Sequence, residues 1–153
     1  MAYATREAQQ ELLATVAQAT DALAAGLAAL AAAYEQLDER NADRLEEELF
    51  RPVQVAYGRA QRTHAGFAAR HGLSGRGFTQ PAGAGLPSQG VKGFLERALE
   101  AVAEADETLA ELQDSMRPVE VGDAELRAGL SGVRELIGPL PDRAREFLRT
   151  LGR

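Results

Sequence analysis

Apolar residues recur at steps of three and four along most of this chain. The cleanest stripe alternates four-residue and three-residue steps without a slip and comprises Val91, Leu95, Ala98, Val102, Ala105, Leu109, Leu112 and Met116. Such spacing puts apolar side chains on one face of an α-helix, about one per turn. The pattern predicts a long amphipathic helix with Ser88 as its N-cap, which Pro118 ends.

Two further stripes lie in the N-terminal half. The first comprises Leu12, Val16, Ala19, Leu23, Leu27, Leu30, Tyr34 and Leu37, and the second Leu45, Leu49, Val53, Ala56, Ala60, His64, Phe67 and His71. A turn near residues 38–41 gives two helices of about 32 residues, each about 48 Å long. A turn at Arg51-Pro52 would instead pair a very long helix with a short one. We therefore predict a turn at 38–41 and a kink at Pro52, because proline removes a helical hydrogen bond.

The segment from Gly72 to Gly90 is rich in Gly, Pro and Ser, which predicts a long loop. A fourth stripe follows it, with Asp123 as the expected N-cap, and comprises Leu126, Leu130, Val133 and Ile137. The run Gly138-Pro139-Leu140-Pro141 should break this helix, because residues before proline avoid the α conformation. A short last helix is expected over residues 141–151.

These elements predict an all-α fold of one domain over residues 1–153. It consists of a helical hairpin at about 4–72, a loop at 73–90 and a second hairpin at about 91–151. The two long antiparallel hairpins either close into a four-helix bundle or open and pair with a second copy as a hairpin-swapped, coiled-coil-like dimer. Hydrophobic residues make up 45% of the chain but aromatic ones only 5%, so the core consists mainly of Leu, Ala and Val.

The composition excludes several kinds of site and indicates where in the cell the protein is found. The chain has no Cys, which excludes disulfides, thiolate catalysis and cysteine metal sites. Its first residues lack the basic and apolar regions of a signal peptide. The most apolar stretch, Ala22 to Tyr34, is mostly Ala and too short to cross a bilayer. We therefore expect a cytoplasmic protein without a membrane segment.

The two histidines form the first candidate site. His64 and His71 share the apolar stripe of the second helix, but their Cα atoms are about 10.5 Å apart along the axis. One ion cannot easily bind both, and no Glu-x-x-His pair accompanies them, so we expect neither a metal nor another cofactor. Together with Phe67 they form a candidate ligand-binding cluster. The alternative is that both rings simply pack in the core or at its edge.

No catalytic motif accompanies this cluster. The acidic residues of the third helix share a face beside its apolar stripe rather than on it, and comprise Glu96, Glu100, Glu104, Glu107 and Glu111. That position suits a face that is solvated or pairs with Arg, not a di-iron centre. The segment at residues 85–92 also misses the nucleotide-binding loop pattern, because its Lys comes one place late and no strand precedes it.

Charge is unevenly distributed along the sequence. Residues 49–95 contain no acid, although the chain has a net charge of −6; their basic residues are Arg51, Arg59, Arg62, Arg70, Arg76 and Lys92. The first four fall within an arc of roughly 100° on one helix. They either form an anion site that the loop containing Arg76 continues, or pair with acidic helices of this chain or of a second copy. The overall acidity favours pairing and disfavours nucleic acid.

Two classes of function remain. The first is a non-enzymatic interaction or scaffold protein, a helical bundle that acts through self-association or a partner helix and is expected to form a homo-oligomer. The second is a ligand-binding bundle that holds a small apolar or anionic molecule near His64, Phe67 and His71, or engages an anionic partner through the arginines.

Overall fold

The computed structural model describes residues 2–81 and 89–151, and within these ranges the chain is all-helical. The helices are α1 (Ala2–Glu35), α2 (Glu39–Leu45), α3 (Arg51–Arg70), α4 (Gly90–Asp114), α5 (Arg117–Val121), α6 (Ala124–Ile137) and α7 (Leu140–Leu151). A π-helical turn, Glu46–Phe50, joins α2 to α3 without a break. The helical fold class predicted from the stripes is thereby confirmed.

The connection between the first two stripes lies at residues 36–38, next to the predicted turn. Asp38 is extended there, and its carboxylate accepts a hydrogen bond of 2.7 Å from the Asn41 side chain. The helix that follows continues through Pro52, with the π-helical turn directly before it. Proline cannot donate to the carbonyl one turn earlier, and a π-helical turn is one way for a helix to accommodate such an interruption.

The end of α4 differs from the prediction. The helix ends at Asp114 rather than at Pro118, because Met116 adopts a left-handed conformation with φ of 64°. Pro118 instead lies in the first turn of α5, where its missing N–H costs no hydrogen bond. The predicted cap of α6 is confirmed, since the Asp123 carboxylate accepts from the backbone N–H of Leu126 at 2.9 Å. Ser88 lies outside the described residues.

The long helices pack antiparallel to one another. The most extensive contact joins α1 to α4, and α3 packs against both α6 and α1. Near one end of the α1–α4 pair Glu11 pairs with Arg117 at 3.7 Å, and farther along α1 Gly26 lies against Ala101 and Val102. These contacts bury most residues of the apolar stripes inside a single chain, although Tyr34 and Met116 are exposed. The largest fully buried side chains include Leu12, Leu23, Leu27, Leu45, Leu95, Leu109, Leu126, Leu130 and Ile137.

Helices α3 and α6 approach each other closely at two glycines. A Cβ atom on Gly129 would lie 2.3 Å from Oγ1 of Thr63, and one on Gly132 would lie 2.2 Å from Cζ of Arg59. Both positions are buried. Small residues at a crossing allow the helix backbones to come together, so the register of α6 on α3 depends on these two glycines.

Helix α1 is the most apolar part of the fold. The segment Thr5–Glu35 is long and apolar enough to cross a membrane by length and composition, so counting only Ala22–Tyr34 underestimated its apolar length. In its most apolar window, however, 67% of the helix is buried against the rest of the fold. The core helix of a soluble protein and an N-terminal signal sequence both meet the same criteria.

Candidate functional site

A groove of about 550 Å³ lies between α1 and the segment that follows α3. Its apolar wall is formed by Leu13, Ala14, Ala17 and Leu73. Its polar lining consists of Arg6, Gln10, Gln18, Asp21, His64, Ser74 and Arg76. The groove therefore has a hydrocarbon surface and two arginines with one carboxylate, within a single concave region.

The end of α3 turns the chain toward this groove. Gly72 adopts the left-handed conformation with φ of 64°, and the N–H of Leu73 donates back to the carbonyl of Ala68 at 2.8 Å. This arrangement is a Schellman motif, which closes the last helical turn and buries the following apolar residue. Arg6 of α1 donates to the carbonyl of Gly72 at 3.2 Å. Residues 73–76 are thereby held beside α1.

His64 is the buried polar group that borders the groove. Its side chain is 3% exposed, and Phe78 packs edge-to-face on its ring at 5.0 Å. Its Nδ1 atom is buried and has no hydrogen-bond partner among the residues that the structure describes. Burial lowers the pKa of His64, and the nearby Arg76 lowers it further while Asp21 opposes the shift. The ring is therefore neutral at pH 7 and has hydrogen-bonding capacity to spare.

Arg76 forms the charged side of the groove. Its guanidinium lies 4.1 Å from the ring centre of Phe78 and forms an ion pair with Asp21 of α1. Tyr57 lies about two turns before His64 on α3. Burial and Asp21 raise the pKa of its hydroxyl, and Arg76 opposes them. Phe78, Arg76 and Asp21 thus form a stack that links the segment after α3 to the middle of α1.

His71 is not available to a ligand in the same way. Its Nε2 lies 2.8 Å from Oδ2 of Asp123, and its Nδ1 lies 3.2 Å from the side-chain amide of Gln9. Both ring nitrogens of His71 are therefore engaged by neighbouring side chains. Phe67 is fully buried and packs on His71 at 4.4 Å between ring centres. Of the three predicted residues only His64 lines the groove, whereas Phe67 and His71 contact each other outside its lining.

Asp123, which the sequence predicts only as a helix cap, is also the centre of a cluster of polar contacts. It is 7% exposed and receives both Arg70 and His71, in addition to the N–H of Leu126. Burial alone would raise the pKa of Asp123, but the hydrogen bonds from Leu126, His71 and Arg70 outweigh it, so the pKa is lowered. Nothing in the local sequence distinguishes this cap from an ordinary one.

The five predicted anion-binding arginines do not come together. Arg76 lines the groove, and Arg70 binds Asp123 and Glu125 at the start of α6. The other three form no ion pair with any residue that the structure describes and lie along the outer side of α3; they are Arg51, Arg59 and Arg62. The five arginines that share one predicted site therefore lie in three separate environments: the groove, the start of α6 and the exposed surface of α3.

Within residues 2–81 and 89–151 no three His, Asp or Glu side chains are grouped closely enough to hold a metal ion. The groove's chemistry is therefore that of its arginines, its carboxylate, its imidazole and its apolar wall. Comparisons of the chain with protein-family models, with curated proteins and with solved structures found no match.

Proposed function

We propose that this protein is a non-enzymatic binding protein that holds a small organic anion with an apolar body in the groove between α1 and residues 73–76. One observation carries the proposal: His64, a buried histidine whose Nδ1 has no hydrogen-bond partner among the described residues, borders a concave surface that also contains two arginines. Buried polar atoms are normally hydrogen-bonded, so an exception at a groove suggests that a ligand or a water satisfies it.

The size and lining of the groove support this ligand class. Its volume of about 550 Å³ lies in the range typical of small-molecule sites, roughly 300–1,000 Å³. Arg6 and Arg76 suit a carboxylate or a similar anion, since guanidinium groups match the geometry of such oxygens. The alanines and leucines of the wall suit a hydrocarbon or aromatic body. Asp21 already pairs with Arg76, so the ligand must exchange with it, and we expect modest affinity.

The geometry supports binding rather than turnover. General-base or nucleophilic chemistry needs a base with a free nitrogen and a group that orients it. His71 has an orienting carboxylate, but both of its nitrogens are engaged. His64 has a free nitrogen, but no described carboxylate accepts a hydrogen bond from its ring. Neither histidine combines the two requirements.

The first hypothesis from sequence, self-association through the apolar stripes, receives less support. Most residues of those stripes are buried within one chain, and we propose that the four long helices close as a bundle in the monomer. We retain the cytoplasm as the proposed location, because burial of α1 against its neighbours suits a soluble fold.

Nuclear magnetic resonance of the histidine side chains tests the proposal. The probes are 4-phenylbutyrate, its neutral analogue 4-phenylbutanamide, and acetate, which carries charge without an apolar body. We expect 4-phenylbutyrate to shift the ring signals of His64 saturably, and the other two to shift them only at much higher concentration. The signals of His71 should move little, because its contacts lie outside the groove lining. Absence of a saturable shift at His64 with every probe would refute the proposal.

Charge variants sharpen the test. Arg76→Gln should weaken 4-phenylbutyrate binding at least about tenfold, since hydrogen bonds to charged groups contribute about 1.5–3 kcal/mol. Asp21→Asn should strengthen binding, because it removes the competing carboxylate. Arg145→Gln is the matched control: Arg145 also forms an exposed ion pair, with Asp142 on α7, but is not part of the groove. Equal weakening by Arg145→Gln would mean that the probe responds only to net charge.

A further inference from the structure

The outer side of α3 carries an arginine face, which we define as Arg51, Val55, Arg59 and Arg62. All four are exposed, and Val55 is 48% exposed despite its apolar side chain. At 3.6 residues per turn they fall within an arc of about 80°, with Val55 at its centre. Since residues 49–95 contain no acid, α3 offers these arginines no acidic partner of its own.

Glycines allow two of these guanidinium groups to lie close to helix backbone. A Cβ atom on Gly58 would lie 3.3 Å from Nη1 of Arg62, and one on Gly132 would lie 2.2 Å from Cζ of Arg59. The two side chains therefore rest on the protein surface instead of extending into solvent. A partner that binds them has less side-chain freedom to remove, and such preorganisation favours association.

A complementary acidic face lies on α4. It consists of exposed glutamates within an arc of about 80°, namely Glu96, Glu100, Glu104, Glu107 and Glu111. Along the helix axis it extends about 22 Å, whereas the arginine face extends about 16 Å. No ion pair of the described chain joins these glutamates to the arginine face.

The two faces do not meet within one molecule. Helices α1 and α6 each pack against both α3 and α4, whereas α3 and α4 share no extensive contact. The helices in between separate α3 from α4, and both charged faces are exposed to solvent. The arginine face can therefore contact an acidic face of this kind only on a second molecule.

We propose that the arginine face of α3 docks on the acidic face of α4 of a second copy of this chain. Because the two patches differ, the contact is head-to-tail and leaves one free face at each end of the assembly. Exposed ion pairs are individually weak, so we expect a dissociation constant on the order of 1 mM. This association does not depend on the proposed ligand groove, since neither face contributes to its lining.

Sedimentation velocity on the full chain tests the interface. At about 1 mM protein and low salt, the average mass should rise above the 16.3 kDa of one chain and keep rising with concentration. In 1 M NaCl it should return to that of the monomer, because the screening length falls from about 10 Å at 0.1 M to about 3 Å. A single 16.3 kDa species at every concentration and salt level would overturn the proposal, as would association that salt strengthens.

Charge reversal identifies the faces. The double variant Arg59→Glu/Arg62→Glu and the double variant Glu104→Arg/Glu107→Arg should each be monomeric. An equimolar mixture of the two should associate again, because each variant retains the face that the other needs. A mixture that stays monomeric, although both variants show the circular dichroism and melting of the wild type, would contradict the interface.

The control variant is Arg145→Glu/Arg149→Glu on α7, which changes the net charge as the arginine-face variant does but lies outside both faces. It should associate like the wild type. Loss of association in this control would attribute the effect to net charge and would overturn the assigned surface. Binding of polyglutamate to a wild-type chain that does not self-associate would also overturn the second copy as occupant, and would assign the arginine face to an external acidic partner.

Discussion

The Arg70 guanidinium holds both oxygens of the Asp123 carboxylate, with Nε 2.9 Å from Oδ2 and Nη2 2.8 Å from Oδ1. The same carboxylate caps α6 and contacts the ring of His71. One buried acid thus joins the C-terminal end of α3 to the N-terminal end of α6. The end of α3 also positions residues 73–76, so this junction supports one wall of the candidate groove.

Replacing this acid should destabilise the fold. Asp123→Ala is expected to lower the free energy of unfolding by about 2–4 kcal/mol, because it removes a helix cap and leaves Arg70 without its main partner. Asp123→Asn should cost less, since an amide still caps a helix. Glu125→Gln is the control: its side chain is 77% exposed and its ion pair with Arg70 contributes under about 1 kcal/mol. Urea unfolding measures all three, and equal losses would contradict a special role for Asp123.

Acid should remove the contribution that Asp123 makes to the stability of the fold. Its pKa is lowered in the folded state, so the folded chain binds fewer protons at this group than the unfolded chain does. The stabilisation is therefore complete above the ordinary carboxyl pKa of about 4 and is lost as the pH falls through the lower folded value. Unfolding free energies measured from pH 5 downward should fall more steeply for the wild type than for Asp123→Asn. Parallel curves would refute this assignment.

The close approach of α3 and α6 makes Gly129 intolerant of a side chain. Gly129→Ala should destabilise by about 1–3 kcal/mol, because the new methyl group would overlap Thr63, a stiff β-branched residue whose hydroxyl is bonded to the carbonyl of Arg59. Gly132→Ala should cost less, since it meets the flexible end of Arg59. In the Thr63→Ala background much of the Gly129→Ala penalty should disappear. A thermal-unfolding double-mutant cycle that gave additive effects would contradict the predicted overlap.

The helices could be predicted from sequence because the spacing of apolar residues within a segment is enough to indicate a helix there. Three- and four-residue steps located α1, α3, α4 and α6, and the N-cap role of Asp123 required only a polar residue before a stripe. The end of α4 could not be predicted in this way. A left-handed residue at a helix end is usually Gly, and Met116 gives no such signal, whereas Pro118 is equally compatible with starting a helix as with ending one.

The site was less predictable because it depends on which helices meet. The sequence identified His64 and Arg76 as candidates but could not supply Arg6, Leu13 or Asp21, since the stripes do not specify that the segment after α3 returns to α1. For the same reason, an arc of arginines on one helix could not reveal that Arg70 would find a buried acid 53 residues away while Arg59 would not.

Replacing Met116 with glycine should stabilise the fold. Its φ of 64° is costly for a residue with a Cβ, and its side chain is 52% exposed, so little packing is lost on removal. Met116→Gly is expected to raise the free energy of unfolding by up to about 1 kcal/mol. Gly122→Ala should have the opposite effect, because Gly122 has a φ of 77°. Chemical denaturation of both variants checks the two signs, and a destabilised Met116→Gly would show that the side chain matters more than the backbone conformation.

Mild acid should weaken the fold through His64. Burial first, and then Arg76, lower the pKa of His64 in the folded chain, against opposition from Asp21. In the unfolded chain the group titrates near its ordinary value of about 6.5, so the unfolded state binds more protons below that pH. The contribution of the neutral ring is therefore complete above pH 7 and declines as the pH falls from about 6.5 toward the folded pKa. His64→Phe keeps an aromatic ring against Phe78 but cannot titrate. Urea unfolding from pH 8 to pH 5 should show the wild type losing stability relative to this variant, and a constant difference across that range would mean that His64 is not held neutral by the fold.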